Sequence, residues 1–129
     1  MATKKKIKTF AEACKALGIK TAVPDVSMLP VKDRKAIIAH YKLTKIIEAL
    51  NEGWKPNWND SSETKYFPWF QIKADAKRPA GFGFSYYDCD GWHTGTYCGS
   101  RLCLKSRELA LYAGKQFKDL YIEYFLFKN

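Results

Sequence analysis

The chain has 129 residues, 47% hydrophobic and 27% charged, which suits one globular domain with a core of its own. No run of about 18 apolar residues occurs, so no membrane-spanning helix is expected, and the basic start Met1–Lys8 leads into no apolar signal-peptide core, which points to a cytoplasmic protein. A net charge of +9 favours an acidic partner such as nucleic acid, with solubility alone as the competing reading.

The charge is uneven. Residues 1–53 carry 11 Lys+Arg against 5 Asp+Glu, whereas residues 54–103 carry 6 against 5 and residues 104–129 carry 5 against 3. Residues 1–8 read as a basic N-terminal tail and residues 9–129 as a single α+β domain. Thr9 is placed to cap a short helix in which Phe10, Ala13, Cys14 and Leu17 share a face, and Gly18 is placed to stop it. Ile19 to Pro30, with two prolines, reads as an irregular connection. From Lys32 to about Glu52 the pattern is a long helix ending at Gly53. Its apolar stripe is Ala36, Ala39, Leu43, Ile46, Ile47 and Leu50, widened by Ile37 and Tyr41. Lys32, Arg34, Lys35, Lys42 and Lys45 occupy much of the rest of its circumference, and His40 reads as structural.

Trp54 to Thr64 is rich in turn formers and reads as a loop anchored by its tryptophans. Lys65 to Lys73 reads as a strand, with Tyr66, Phe70 and Ile72 on one face and Phe67, Trp69 and Gln71 on the other. Pro68 requires an edge or a bulge there. Asp75 to Pro79 is a polar turn, Ala80 to Asp88 a second strand, Cys89 to Thr94 another turn, and about Gly95 to Lys105 a third strand interrupted at Gly99. Ser106 is placed to cap a final helix from Arg107 to about Phe125. The expected architecture is α+β: a small antiparallel three-stranded meander packed against two or three helices.

Four motifs bear on chemistry. Ala80-Gly-Phe-Gly-Phe-Ser-Tyr-Tyr87 is similar to the aromatic octapeptide of RNA-recognition-motif strands. Ala80 replaces its basic residue, however, and alternation turns Phe82, Phe84 and Tyr86 toward the core. Cys89, His93, Cys98 and Cys103 form C-x3-H-x4-C-x4-C, a possible zinc set that lacks the tight Cys pair of zinc knuckles; no metal and no cofactor are expected, and the cysteines read as free thiols. Asp88-Cys-Asp90-Gly91 lacks the rest of a calcium loop. His93 beside Cys89 and two aspartates sits on one hairpin turn, with no nucleophile elbow, P-loop or HExxH, so an enzyme is the least favoured class.

Ile37-Ile-Ala-His-Tyr-Lys-Leu-Thr-Lys-Ile-Ile-Glu-Ala-Leu-Asn-Glu-Gly-Trp54, Tyr66-Phe-Pro-Trp-Phe70, Pro79-Ala-Gly-Phe-Gly-Phe-Ser85, Gly99-Ser-Arg-Leu-Cys103 and Ala113-Gly-Lys-Gln-Phe117 give the chain a further likeness. It resembles a group of small uncharacterised proteins of gut Bacteroides phages and prophages, over nearly its whole length. The resemblance implies a mobile-element context inside a bacterial host cell, with the virion as an alternative location, and carries over no residue role. The expected function is a phage-type accessory protein that binds nucleic acid, single strand favoured, through a basic surface. The alternative is a non-enzymatic protein that binds phage or host proteins. The candidate binding residues are Lys35, Lys42, Lys45, Lys65, Trp69, Lys73, Trp92 and Arg101, which combine phosphate-binding charge with rings able to stack on bases.

Overall fold

Thr9 and Gly18 bracket the first helix as their chemistry dictates. In a computed structural model, which describes residues 7–74, 82–92, 94–96 and 98–127 with side chains placed except at 71–74, 82–90 and 92, helix α1 spans Phe10–Leu17. The Thr9 hydroxyl accepts the Glu12 N–H at 3.1 Å. Gly18, at φ +70, closes the other end by donating to Lys15 while Ile19 donates to Cys14. The chain is docked even before this helix: Ile7 is buried, and its carbonyl accepts the Tyr112 hydroxyl at 2.6 Å.

Helix α2, Val31–Asn51, is the spine. Its Ala39, Leu43, Ile46, Ile47 and Leu50 are buried as the stripe requires, while Ile37, expected to widen it, stays exposed. The helix ends on Glu52, the one non-glycine with positive φ among the described residues. Strand β1, Lys65–Ala74, pairs antiparallel with β2, Phe82–Trp92, from Lys65 opposite Trp92 to Ala74 opposite Phe82. The register shifts between Trp69 and Phe70, one residue beyond Pro68, leaving Tyr87 as the extra residue of a bulge. β2 therefore runs on through Cys89 to Trp92, where a turn was expected. The expected turn at Asp75–Pro79 lies outside the described residues.

The expected third strand is corrected. Among the described residues the sheet has two strands. Ser100–Leu102 is a 3-10 turn, and only Leu104 pairs with β1, through a single bridge to Tyr66. Gly99, at φ +79, and the 3-10 turn take the backbone off the pleat, so Leu102 and Leu104 reach the core without forming a ladder.

The final helix is also corrected. Ser106 caps α3, Arg107–Gln116, by accepting the Leu109 N–H. The helix then breaks at Phe117, whose φ of −110 and ψ of 27 leave the helical region, and resumes as α4, Lys118–Phe125. Phe117 and Tyr121, four residues apart, both lie in the core, Phe117 edge-on to Tyr112 and Tyr121 against Phe70 with ring centroids 5.1 Å apart. α1 and α4 pack on α2, and α3 packs on both strands. The result is α+β, and no helix among the described residues is long and apolar enough to cross a membrane.

Candidate functional site

Residues from the C-terminal half of α2 line a large open cleft of 1330 Å³. Its walls come from α1, α2, the chain that leaves α2 at Gly53–Pro56, and the 3-10 turn at Ser100 and Arg101. Lys15, Lys45, Lys55 and Arg101 line it together with Trp54, over a floor that includes Ile7, Leu17 and Ile47. Three glutamates line it as well, and each already has a donor. Glu48 pairs with Lys45 at 2.8 Å, Glu52 with Lys105 at 3.5 Å, and Glu12 accepts the Lys8 N–H. Among the described residues no carboxylate lies within ion-pair distance of Lys15, Lys55 or Arg101, all of them exposed.

The cleft wall at Trp54 is built by a carboxylate hub. Glu63 accepts the Asn57 N–H at 2.7 Å and Trp54 Nε1 at 3.2 Å, and lies 3.3 Å from Lys65 Nζ. The Asn57 amide does most to hold its carboxyl below the usual range, with Lys65 and Trp54 adding to it against a partial loss of water. Across the loop, Trp58 Nε1 donates to Ser100 Oγ at 2.7 Å and so ties the loop to the 3-10 turn that carries Arg101.

The eight expected binding residues do not form one surface. Lys45 and Arg101 both line the cleft. Lys35 is exposed on α2, and Lys42, two turns further along the same side of that helix, rests its ammonium 5.4 Å over the Phe10 ring. Trp69 is 39% exposed but lies on β1, outside the cleft. Lys65 is corrected: its side chain is 0% exposed, donating to the Asp60 carbonyl at 3.0 Å, pairing with Glu63 and lying 5.2 Å from the Trp58 ring. A buried ammonium satisfied in this way holds the loop and cannot reach a phosphate. The side chains of Lys73 and Trp92 lie outside the described residues.

No family model, curated protein or solved structure matches the chain.

Of the four residues of the zinc pattern, Cys98 and Cys103 come together, and the side chains of Cys89 and His93 lie outside the described residues. Among the described residues no three His, Cys, Asp or Glu side chains converge on a point. His40 stacks at 4.8 Å on Tyr124. Sequence reasoning missed Lys15, Lys55 and Trp54. Lys15 stands two residues from the buried Ala13 on a helix whose polar side was unassigned, and only the packing of α1 on α2 brings it to the same cleft as Lys45. Lys55, between Trp54 and Pro56, carries no periodic signal at all.

Proposed function

We propose that the chain binds nucleic acid, single strand favoured, along the cleft between α1, α2 and the 3-10 turn, as an accessory protein of a phage or prophage working inside a bacterial cell. The observation that carries this reading is that Lys15, Lys55 and Arg101, none paired with a carboxylate among the described residues, line one cleft with Lys45 and Trp54. An open groove that combines cations with an aromatic side chain suits a backbone whose bases are free to stack. Lys35 and Lys42 continue the line of charge along α2.

A fluorescent oligonucleotide titration tests it. Three to four phosphate contacts on a single strand give a log–log salt slope of about −2 to −3. Arg101→Gln and Lys55→Gln should each weaken binding and flatten that slope by about 0.7. An absence of binding at low salt ends the proposal.

A second reading, a protein that docks on phage or host proteins or in the virion, is favoured by Met28 at 88% and Phe127 at 85% exposure, with Val31 and Phe125 exposed as well. A stable oligomer in light scattering, together with no affinity for oligonucleotides, would select it.

A further inference from the structure

Two cysteines meet where the chain turns from the sheet back toward its last helices. Cys98 and Cys103 hold their Sγ atoms 3.7 Å apart, in contact and sharing a hydrogen. Among the described residues both are free thiols. Closing to a disulfide length of about 2.0 Å requires an approach of about 1.7 Å.

The two sulfurs differ in mobility and access. Cys103 is fully buried, and its segment is pinned on both sides. Its carbonyl accepts Asn51 Nδ2 at 2.9 Å, and its neighbour Leu104 exchanges backbone bonds of 2.7 and 3.0 Å with Tyr66. Cys98 is partly exposed and precedes Gly99, whose positive φ and empty surroundings make it a backbone hinge. Thr96 sets the approach: its hydroxyl accepts the Cys98 and Gly99 N–H groups at 3.0 and 2.9 Å and lies 3.5 Å from the Cys98 sulfur.

We propose that Cys98 and Cys103 are a peroxide-reactive dithiol, with Cys98 as the attacking sulfur and Cys103 as the resolving one, which closes an intramolecular disulfide around Gly99–Leu102.

The Cys98 thiolate attacks the outer oxygen of a hydroperoxide. The O–O bond breaks, the alkoxide leaves and takes a proton as the alcohol, and Cys98 becomes a sulfenic acid. The Cys103 sulfur then attacks the Cys98 sulfur, the S–O bond breaks, and the departing hydroxide takes the Cys103 proton as water. Two thiols and one hydroperoxide thus give one disulfide, one alcohol and one water. A small dithiol reverses the change by exchange.

The hydrogen-bond pattern fits these roles. The Cys103 thiol donating to Cys98 holds the Cys98 thiol down at about 7, with Thr96 adding to the effect against burial. The same pairing, together with burial, pushes Cys103 up, so it keeps the proton it later surrenders.

The test treats the reduced chain with one equivalent of hydrogen peroxide. The free thiols should fall from four to two, the intact mass should drop by two hydrogens, and peptide mapping should join Cys98 to Cys103. In untreated protein iodoacetamide should label Cys98 first, at a rate that climbs with pH through about 7. Cys103→Ser should stop at a sulfenic acid on Cys98 that dimedone traps, and Cys98→Ser should leave the remaining thiols unreacted. Because Cys103 is buried and its replacement can unfold the chain, the wild-type map decides. A disulfide to Cys14 or Cys89, a Cys98 driven to sulfinic acid without a disulfide, or no reaction would overturn the proposal.

Discussion

Asn51 shows how much one buried side chain can hold. It lies at the C-terminus of α2 with its carboxamide inside the protein. Nδ2 donates to the Cys103 carbonyl at 2.9 Å, and Oδ1 accepts the Lys105 N–H at 3.1 Å. The two backbone groups lie on either side of Leu104, so a single amide replaces two ladder bonds that a third strand would have supplied from its own backbone. Asn51→Leu keeps the volume and removes both partners, stranding an acceptor and a donor in or near the core. Each orphaned group costs about 1–3 kcal/mol, so the variant should lose about 2–6 kcal/mol in urea unfolding, read from the midpoint at unchanged slope. A loss under about 0.5 kcal/mol would mean that water replaces the amide. From sequence, Asn51 was one more polar residue near a helix end. Its role follows from a partner 52 positions away.

At the scale of elements, the sequence announced what is local and concealed what is tertiary. Thr9, Gly18 and Ser106 act on atoms within a few residues of themselves, and all three take the roles their chemistry predicts. The break at Phe117 was not legible. Leu109, Ala113, Phe117, Leu120 and Tyr124 keep helical phase straight through it, and no proline or glycine stands at Phe117 to mark where the helix stops. The burial of Lys65 was hidden for a different reason: its acceptors, Asp60 and Glu63, are near in sequence, but the irregular loop that carries them has no periodicity to say where they point. That loop also makes a prediction about pH. A carboxyl whose folded value lies below its ordinary 4.5 contributes stability that is full above that value and lost as the pH falls through the folded one. Glu63 is such a group, and protonating it removes the charge from its bonds to Asn57, Trp54 and Lys65 and weakens all three. Asp60, held down by the Ser62 hydroxyl and then its amide, titrates in the same direction. Tryptophan fluorescence of the native chain should therefore change below pH 4.5 before global unfolding. Glu63→Gln, which keeps an acceptor but has no proton to gain, should lose most of that change. Superimposable acid titrations of the two proteins would remove Glu63 from the account.

For the whole molecule, the question is whether affinity for a polyanion follows the net charge of +9 or its placement. Any protein this basic is attracted to nucleic acid at low salt, so binding alone does not locate a site. Two variants with the same loss of charge separate the cases. The first, Lys15→Gln/Lys55→Gln/Arg101→Gln, strips the cleft. The second, Lys20→Gln/Lys115→Gln/Lys118→Gln, removes three positive charges from surfaces that do not line it. If long-range attraction dominates, both should weaken an oligonucleotide equally and both should converge on wild type as salt rises beyond a Debye length of about 8 Å at 0.15 M. If the cleft is the site, the first should lose about two units of salt slope and its preference for single strand, since each phosphate contact on a single strand contributes about 0.7. The second should keep the slope of the wild type and shift only modestly at low salt. Equal loss in both variants would return the charge to solubility and leave the exposed apolar residues around Met28 and Phe127 as the stronger functional signal. The cleft outcome is expected because Glu48 and Glu52 are paired with Lys45 and Lys105, so that Lys15, Lys55 and Arg101 outnumber the one remaining lining carboxylate, Glu12, on walls that also carry Trp54.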